Sequence, residues 1–254
     1  MTLEGTNTWI LAEPGSEEVV VVDPGPLHEA HLHAVLADVD RRGARVALTL
    51  LTHGHADHAE AAPRFAELTG APVRAIGRGH DDLGPGDVLA VGGLEILVVP
   101  TPGHTLDSVS FLLTSEQVLL TGDTVLGRGT TVVAYPDGEL AAYLASLERL
   151  SRLTGSEQVS SLAPGHGPVV PDAAGVVRFY QQHRRERLEQ VRVAAEEVRS
   201  AVEGSGGGSG DGDLADAVVR RVYADVPRSV WPAARLSVLA QLAYLGLGPA
   251  GQHI

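Results

Sequence analysis

The chain of 254 residues has no cysteine, no lysine and a single methionine. Without cysteine there is no disulfide framework, no thiolate metal site and no cysteine nucleophile. No apolar run reaches the roughly 20 residues that span a bilayer. The opening MTLEGTNTWILAEPG has no basic stretch followed by a long apolar one, so a secretory signal is not expected. The expectation is a soluble, cytoplasmic protein with no membrane segment. Positive charge is also scarce: 19 arginines stand against 32 acidic residues, a net charge of −13. The whole deficit lies in residues 1–170, where nine arginines face 22 acids, whereas residues 171–254 balance ten against ten. A protein that grips nucleic acid by its phosphates shows a basic surplus. Its absence speaks against duplex DNA and leaves only a local arginine patch open. What is present is ordinary: 44% hydrophobic and 20% charged residues, enough for a sizeable core, in a length that suits one large α/β domain or a mid-size domain with a small one.

The first 170 residues alternate short β-branched runs with helical stretches. Residues 7–11 and 19–23 (VVVVD) read as strands, the second stopped by Pro24-Gly25-Pro26. Residues 27–41 have helical periodicity. Residues 46–51 form a continuous apolar run, the pattern of a strand buried on both faces. A helix is expected over 57–69, strands over 72–76, 94–100, 108–114 and 117–121, a helix over 139–153 and a last strand over 159–163. Many strands in two groups, several followed by a helix, suggest sheets covered by helices. After Val169 the pattern changes. Residues 176–203 read as one long helix with Phe179, Leu188, Val191 and Val198 among its apolar positions. The stretch GSGGGSGDG over 204–212 reads as a flexible linker or loop. Two short helices are expected over 214–223 and 232–245, separated by Pro227.

Thr52-His53-Gly54-His55-Ala56-Asp57-His58 follows directly on the buried strand. Three imidazoles and a carboxylate fall within six residues, with small spacers that let the loop fold around one centre. Histidine with carboxylate is a ligand set for Zn²⁺, Fe or Mn²⁺. Three more candidates stand at the ends of strand-like runs: His104 in TPGHT, Asp123 in TGDT and His166 in APGHG. Ligands offered from several strand ends converge on one sheet edge. Of the remaining histidines, His28, His31 and His33 share one predicted helix and read as surface residues.

This series, a His-x-His-x-Asp-His motif followed by single His, Asp and His residues in that order, resembles the metallo-β-lactamase superfamily over nearly the whole chain. The resemblance implies an α/β fold, a four-layer αββα sandwich with a small C-terminal helical, winged-helix-like domain. The division would be 1–172 for the catalytic domain and 173–254 for the long helix and tail. It also implies a site for two divalent ions, zinc first, with iron or manganese as alternatives. By the resemblance, His53, His55 and His104 would bind the first ion, Asp57, His58 and His166 the second, and Asp123 would bridge both. Two such ions lower the pKa of bound water toward 7 and supply hydroxide at neutral pH. Asp57 would orient that nucleophile or take its proton, and is the candidate catalytic residue.

Departures narrow the branch. True β-lactamases of this superfamily carry another residue where Asp123 stands. Flavodiiron proteins replace a motif histidine and add a flavin domain. Nucleases with a large inserted cap need more than the 43 positions between Asp123 and His166. Gly5-Thr6-Asn7-Thr8-Trp9, His183-Arg184 in the long helix, Val222-Tyr223 and Trp231-Pro232-Ala233-Ala234 resemble the β-lactamase-like protein 2 branch. That branch is similar to hydroxyacylglutathione hydrolases in its catalytic half. The expected activity is hydrolysis of an ester, thioester or phosphodiester by metal-bound hydroxide. The alternative is a single-strand endoribonuclease whose tail guides RNA, and a non-enzymatic binding module is a third reading. In the last helix Leu236, Leu239, Leu242 and Leu245 form an apparent packing stripe, which favours a tail docked on the catalytic domain. Arg184, Arg185 and Arg187 either meet a substrate anion or pair with Glu186, Glu189, Glu196 and Glu197 on a solvated face.

Overall fold

The computed structural model describes residues 5–77, 79, 81–204 and 212–248. In chain order the elements are β1 (Trp9–Leu11), β2 (Glu18–Val22), α1 (Glu29–Arg41), β3 (Arg45–Leu50), α2 (Ala56–Ala59), α3 (Ala62–Thr69), β4 (Val73–Ala75), β5 (Asp81–Asp82), β6 (Val88–Val91), β7 (Leu94–Pro100), β8 (Val109–Leu113), β9 (Val118–Gly122), α4 (Leu140–Gly155), β10 (Ser161–Pro164), α5 (Ala173–Gly204), α6 (Gly212–Val222) and α7 (Trp231–Tyr244). The expected linker falls almost wholly outside the described residues, as do His80 and His253.

Two five-stranded sheets result, ordered β1-β2-β3-β4-β5 and β10-β9-β8-β7-β6. In the first, β2 to β5 run parallel and β1 closes one edge antiparallel. The second is an antiparallel run from β6 to β9, with β10 added parallel to β9. Alternation along β2 shows how the layers form. Val20 and Val22 point into the core between the sheets with Leu48, Leu50, Ile96, Val98 and Phe111. Val19 and Val21 point the other way, onto Leu32, Val35 and Val39 of α1 and Phe65 of α3. On the far side, Leu112 and Leu119 meet Tyr143 and Leu147 of α4 and Val177 and Tyr180 of α5. The order is therefore helix, sheet, sheet, helix. Burial of each such Val or Leu side chain stabilises the fold by roughly 1.5–3 kcal/mol.

Three readings of the sequence need correction. The single helix over 57–69 is two, because Ala61 N–H bonds Gly25 O across the loop instead of continuing the helix. Residues 88–91 form β6, an edge strand that turns into β7 through Gly92-Gly93, both at positive φ. Phe179 faces outward at 54% exposure, and the neighbouring Tyr180 is fully buried in its place.

α5 belongs to two cores. Its first half packs on the sandwich through Val177 and Tyr180. Its second half packs through Val191, Ala194 and Ala195 on Val218 and Val219 of α6 and on Ala234, Val238 and Leu242 of α7. Division at 172/173 thus assigns to the tail a helix that also completes the sandwich. The buried face of α7 is Ala234, Val238, Gln241 and Leu242, while Leu236 is 38% exposed. Of the expected leucine stripe, Leu242 is buried in this core and Leu239 and Leu245 pack against it partly buried, whereas Leu236 is not part of it. The tail also touches the sandwich directly: Ala240 joins the α4–α5 core and Tyr135 N–H reaches Leu236 O at 3.4 Å. Among the described residues, no helix is long and apolar enough to cross a membrane.

Candidate metal centre

β7, β9 and β10 run in one direction, with antiparallel β8 between the first two, and their C-terminal ends meet that of β3 at one edge. His53 to His58 follow β3, His104 follows β7, Asp123 follows β9 and His166 follows β10. The structure brings all seven expected residues together. His53 Nε2 lies 3.0 Å from His55 Nδ1, which lies 3.1 Å from His104 Nε2. His58 Nε2 and His166 Nε2 stand 3.2 Å apart, with Asp57 Oδ2 at 3.5 and 3.3 Å from them. Asp123 reaches both groups, with Oδ2 at 3.7 Å from His104 Nε2 and 3.3 Å from His166 Nε2. Ligand atoms within each of three sets, His53/His55/His104, Asp57/His58/His166 and His53/His58/Asp123, lie within 4.8 Å of one another.

Each buried imidazole turns its Nδ1 to an acceptor and its Nε2 to the centre. His104 Nδ1 meets Val132 O at 2.7 Å, and His166 Nδ1 meets Gly5 O at 2.9 Å. His58 Nδ1 meets Asp23 Oδ2 at 2.8 Å, and His53 Nδ1 lies 3.1 Å from Thr52 Oγ1. Such partners fix tautomer and ring orientation. His55 is the exception, presenting Nδ1 inward, with Nε2 3.9 Å from Asp137. Asp123 Oδ1 is buried and accepts no hydrogen bond. A carboxylate oxygen so placed, among converging imidazole nitrogens, fits a cation.

Charge is finely divided. Burial holds His53 and His104 below the ordinary imidazole range. Burial also pushes His58 down, but Asp23 and Asp123 outweigh it and raise the group to about 10. His166 behaves likewise: Asp123 and Asp57 overcome burial and raise it to about 10. Burial pushes Asp57 and Asp123 up, yet the neighbouring His166 and His58 hold both well below the usual carboxylate range.

Four supporting residues escaped the sequence reading. Asp23, only 1% exposed, accepts from Thr52 N at 2.8 Å, from Thr52 Oγ1 at 2.6 Å and from His58 Nδ1. In the sequence it is only the end of VVVVD before a turn. Thr6 donates its hydroxyl to Asp57 Oδ2 at 2.9 Å. His31 is half-buried, not a surface residue: its Nε2 lies 2.9 Å from Thr8 Oγ1, which donates to Asp23 O. Gly165 leaves room for the site, since a Cβ there would stand 2.6 Å from Asp123 Oδ1 and 2.7 Å from His58 Cε1. Of the named long-helix arginines, Arg184 and Arg187 follow neither expectation, and it is Arg192 that pairs with the glutamates. Arg192 pairs with Glu189 and Glu196, Arg187 donates to Val222 O over the Tyr223 ring, and Arg184 is buried against Tyr143.

The model of the metallo-beta-lactamase superfamily matches residues 1–85 and 76–166, and that of the beta-lactamase associated winged helix domain matches residues 215–245. Lactamase-like protein adaB of Aspergillus niger is 30% identical over 236 residues, covering 91% of this chain and 71% of its own. Atrochrysone carboxyl ACP thioesterase of Aspergillus chevalieri is 32% identical over 237 residues, covering 90% and 71%. A beta-lactamase domain protein from Burkholderia ambifaria shares the fold with a TM-score of 0.75 at 23% identity, over 95% of this chain and 81% of that one. ETHE1 from Myxococcus xanthus gives 0.59 at 29% identity, over 72% and 86%. Fold, residue constellation and relatives agree: the chain belongs to the metallo-beta-lactamase superfamily and carries a C-terminal winged helix domain of the kind associated with it.

Proposed function

We propose that the chain is a dinuclear metal-dependent thioester hydrolase of the β-lactamase-like protein 2 branch, with zinc as its metal and iron or manganese as alternatives. The observation that carries the reading is the convergence of seven donors into two groups joined by Asp123. His53, His55 and His104 would hold one ion, Asp57, His58 and His166 the other, with Asp123 between them. When bound, the ions supply Lewis acidity toward the acyl oxygen and acidify water. The chain's own residues do the rest. Thr6 holds Asp57 by one oxygen, so the carboxylate can orient the attacking water and take its proton. The fixed Nδ1 contacts keep the imidazoles from rotating as charge develops. Exposed apolar groups beside His104, Leu106 and Val132, offer a place for the acyl chain. The thioester class is supported by the thioesterase names among the relatives. The RNA reading has less behind it, since arginines such as Arg41, Arg42, Arg64 and Arg192 are engaged by carboxylates of the helices.

The test is thiol release from a panel of acyl thioesters by zinc-loaded protein, with a single-stranded oligoribonucleotide run in parallel. Chelator-sensitive thiol release is expected. Cleavage of the oligoribonucleotide alone would replace the reading, and failure on both substrates with two ions bound would end it.

Protonation gives a second check. At neutral pH the raised values of His58 and His166 leave protons on the nitrogens that a cation must take. Loading this group should release protons, while His53 and His104, already neutral, should release none. Metal affinity of the Asp57–His58–His166 group should therefore climb as pH rises toward about 10. In the metal-free fold the same two groups contribute stability that is full below about 6.5 and is lost as pH rises through about 10. Indicator-dye measurement of protons released during zinc addition checks this, and metal uptake without proton release would contradict it.

A further inference from the structure

We propose that Arg184 is a positioning residue for His104, and that through it the helix carrying the tail steadies one side of the metal centre. The inference rests on the reading of His104 as a ligand. Arg184 lies on α5 and is 8% exposed. Its Nη2 donates a hydrogen bond to Thr131 O. Its guanidinium carbon sits 4.9 Å from the centre of the Tyr143 ring. Its Nε is buried without a partner, and among the described residues no carboxylate pairs with it.

Both contacts lead to the site. The residue held by Arg184 borders the carbonyl that orients His104: Thr131 Oγ1 lies 3.2 Å from His104 Nδ1, and the next carbonyl along the chain, Val132 O, lies 2.7 Å from it. Tyr143, beneath the guanidinium, donates its hydroxyl to Thr124 O beside Asp123 at 2.7 Å. The Tyr143 backbone also packs so closely on Gly103 that a Cβ there would stand 2.3 Å from its Cα. One side chain thus braces the residue before the carbonyl that fixes the His104 tautomer and the ring of the residue against which Gly103, next to His104, packs. Three residues further along α5, Arg187 donates to Val222 O of the tail. Stability alone is a poor reason for a buried cation without a carboxylate, since an apolar residue of like volume packs in such a place as well or better. An N–H donor that sets the position of a carbonyl, on a planar cation lying over an aromatic ring, is what arginine supplies there.

The test is cobalt titration of metal-free protein, followed by visible absorbance, with thermal unfolding measured on the same samples. Wild type should bind two equivalents. In Arg184→Met one of the two should bind about tenfold more weakly, as when the outer partner of a ligand is lost, with the unfolding midpoint unchanged or higher. Arg184→Lys, which keeps a donor for Thr131 O, should recover part of the loss. In a His104→Ala background, Arg184→Met should weaken cobalt binding no further. Two unchanged cobalt affinities in Arg184→Met, or a loss that persists in the His104→Ala background, would overturn the assignment. A wild-type protein that binds no cobalt would instead bring down the metal reading, and this inference with it.

Discussion

Replacing Asp57 with alanine should lower turnover on any thioester substrate by about 10²–10⁴-fold, the range that proton transfer and nucleophile positioning contribute. Its side chain is 27% exposed in a centre whose other carboxylate, Asp123, is 12% exposed. It is therefore the acidic group open to substrate and water. Its loss removes a donor from the His58–His166 group and sets free the Thr6 hydroxyl. The fold should survive, because the apolar side chains between the sheets, not this loop, supply most of the buried area. Kinetics, metal content and thermal unfolding measured on both proteins check the expectation. Near-normal turnover would remove Asp57 from the mechanism, and global unfolding would make it a structural residue.

Asp23→Ala should be felt more by the fold. The carboxylate satisfies a backbone amide, a hydroxyl and an imidazole, all buried. Breaking a buried charged pair by removing one partner costs about 3–5 kcal/mol. In a chain of this length that corresponds to a midpoint lowered by roughly 10 °C. Asp23→Asn separates the two roles. Asparagine tolerates the backbone φ of 52° found at this position and can still accept from Thr52 N. Its amide would donate to His58 Nδ1, however, and drive the imidazole proton onto Nε2, the atom that faces the centre. Metal affinity should then fall about 10–100-fold, with a smaller loss of midpoint than in Asp23→Ala. Unaltered zinc binding in Asp23→Asn would show that His58 is oriented by something else.

The donors were legible because their chemistry is local. Four of them stand in six consecutive residues after an apolar run, and each of the others ends a strand. The supports were not. Asp23 accepts from residues 29 and 35 positions away, and Thr6 from a segment 51 positions distant finds Asp57. No local pattern encodes such pairs. Gly165 reads as half of a turn, and only the approach of Asp123 and His58 gives it meaning. The sandwich was legible through period-two burial, most clearly in β2, but β6 was missed because a four-residue edge strand carries too little alternation. Along α7 the leucines at 239, 242 and 245 pack as the pattern predicts, and Leu236 does not. Ala234 and Val238 complete the same face without standing out in the sequence.

α5 is a single rod of 32 residues, and an α-helix turns about 100° and rises about 1.5 Å with each residue. Tyr180 faces the sandwich and Val191 faces the tail. One residue inserted between them would swing the tail about 100° around the rod and carry Arg187 away from Val222. Seven inserted residues would restore the facing almost fully, yet set the tail about 10 Å farther out. The pose of the tail on the sandwich is thus a matter of phase. A chimera that exchanges this tail for another must keep the count of residues along the rod, whatever it does to their identity.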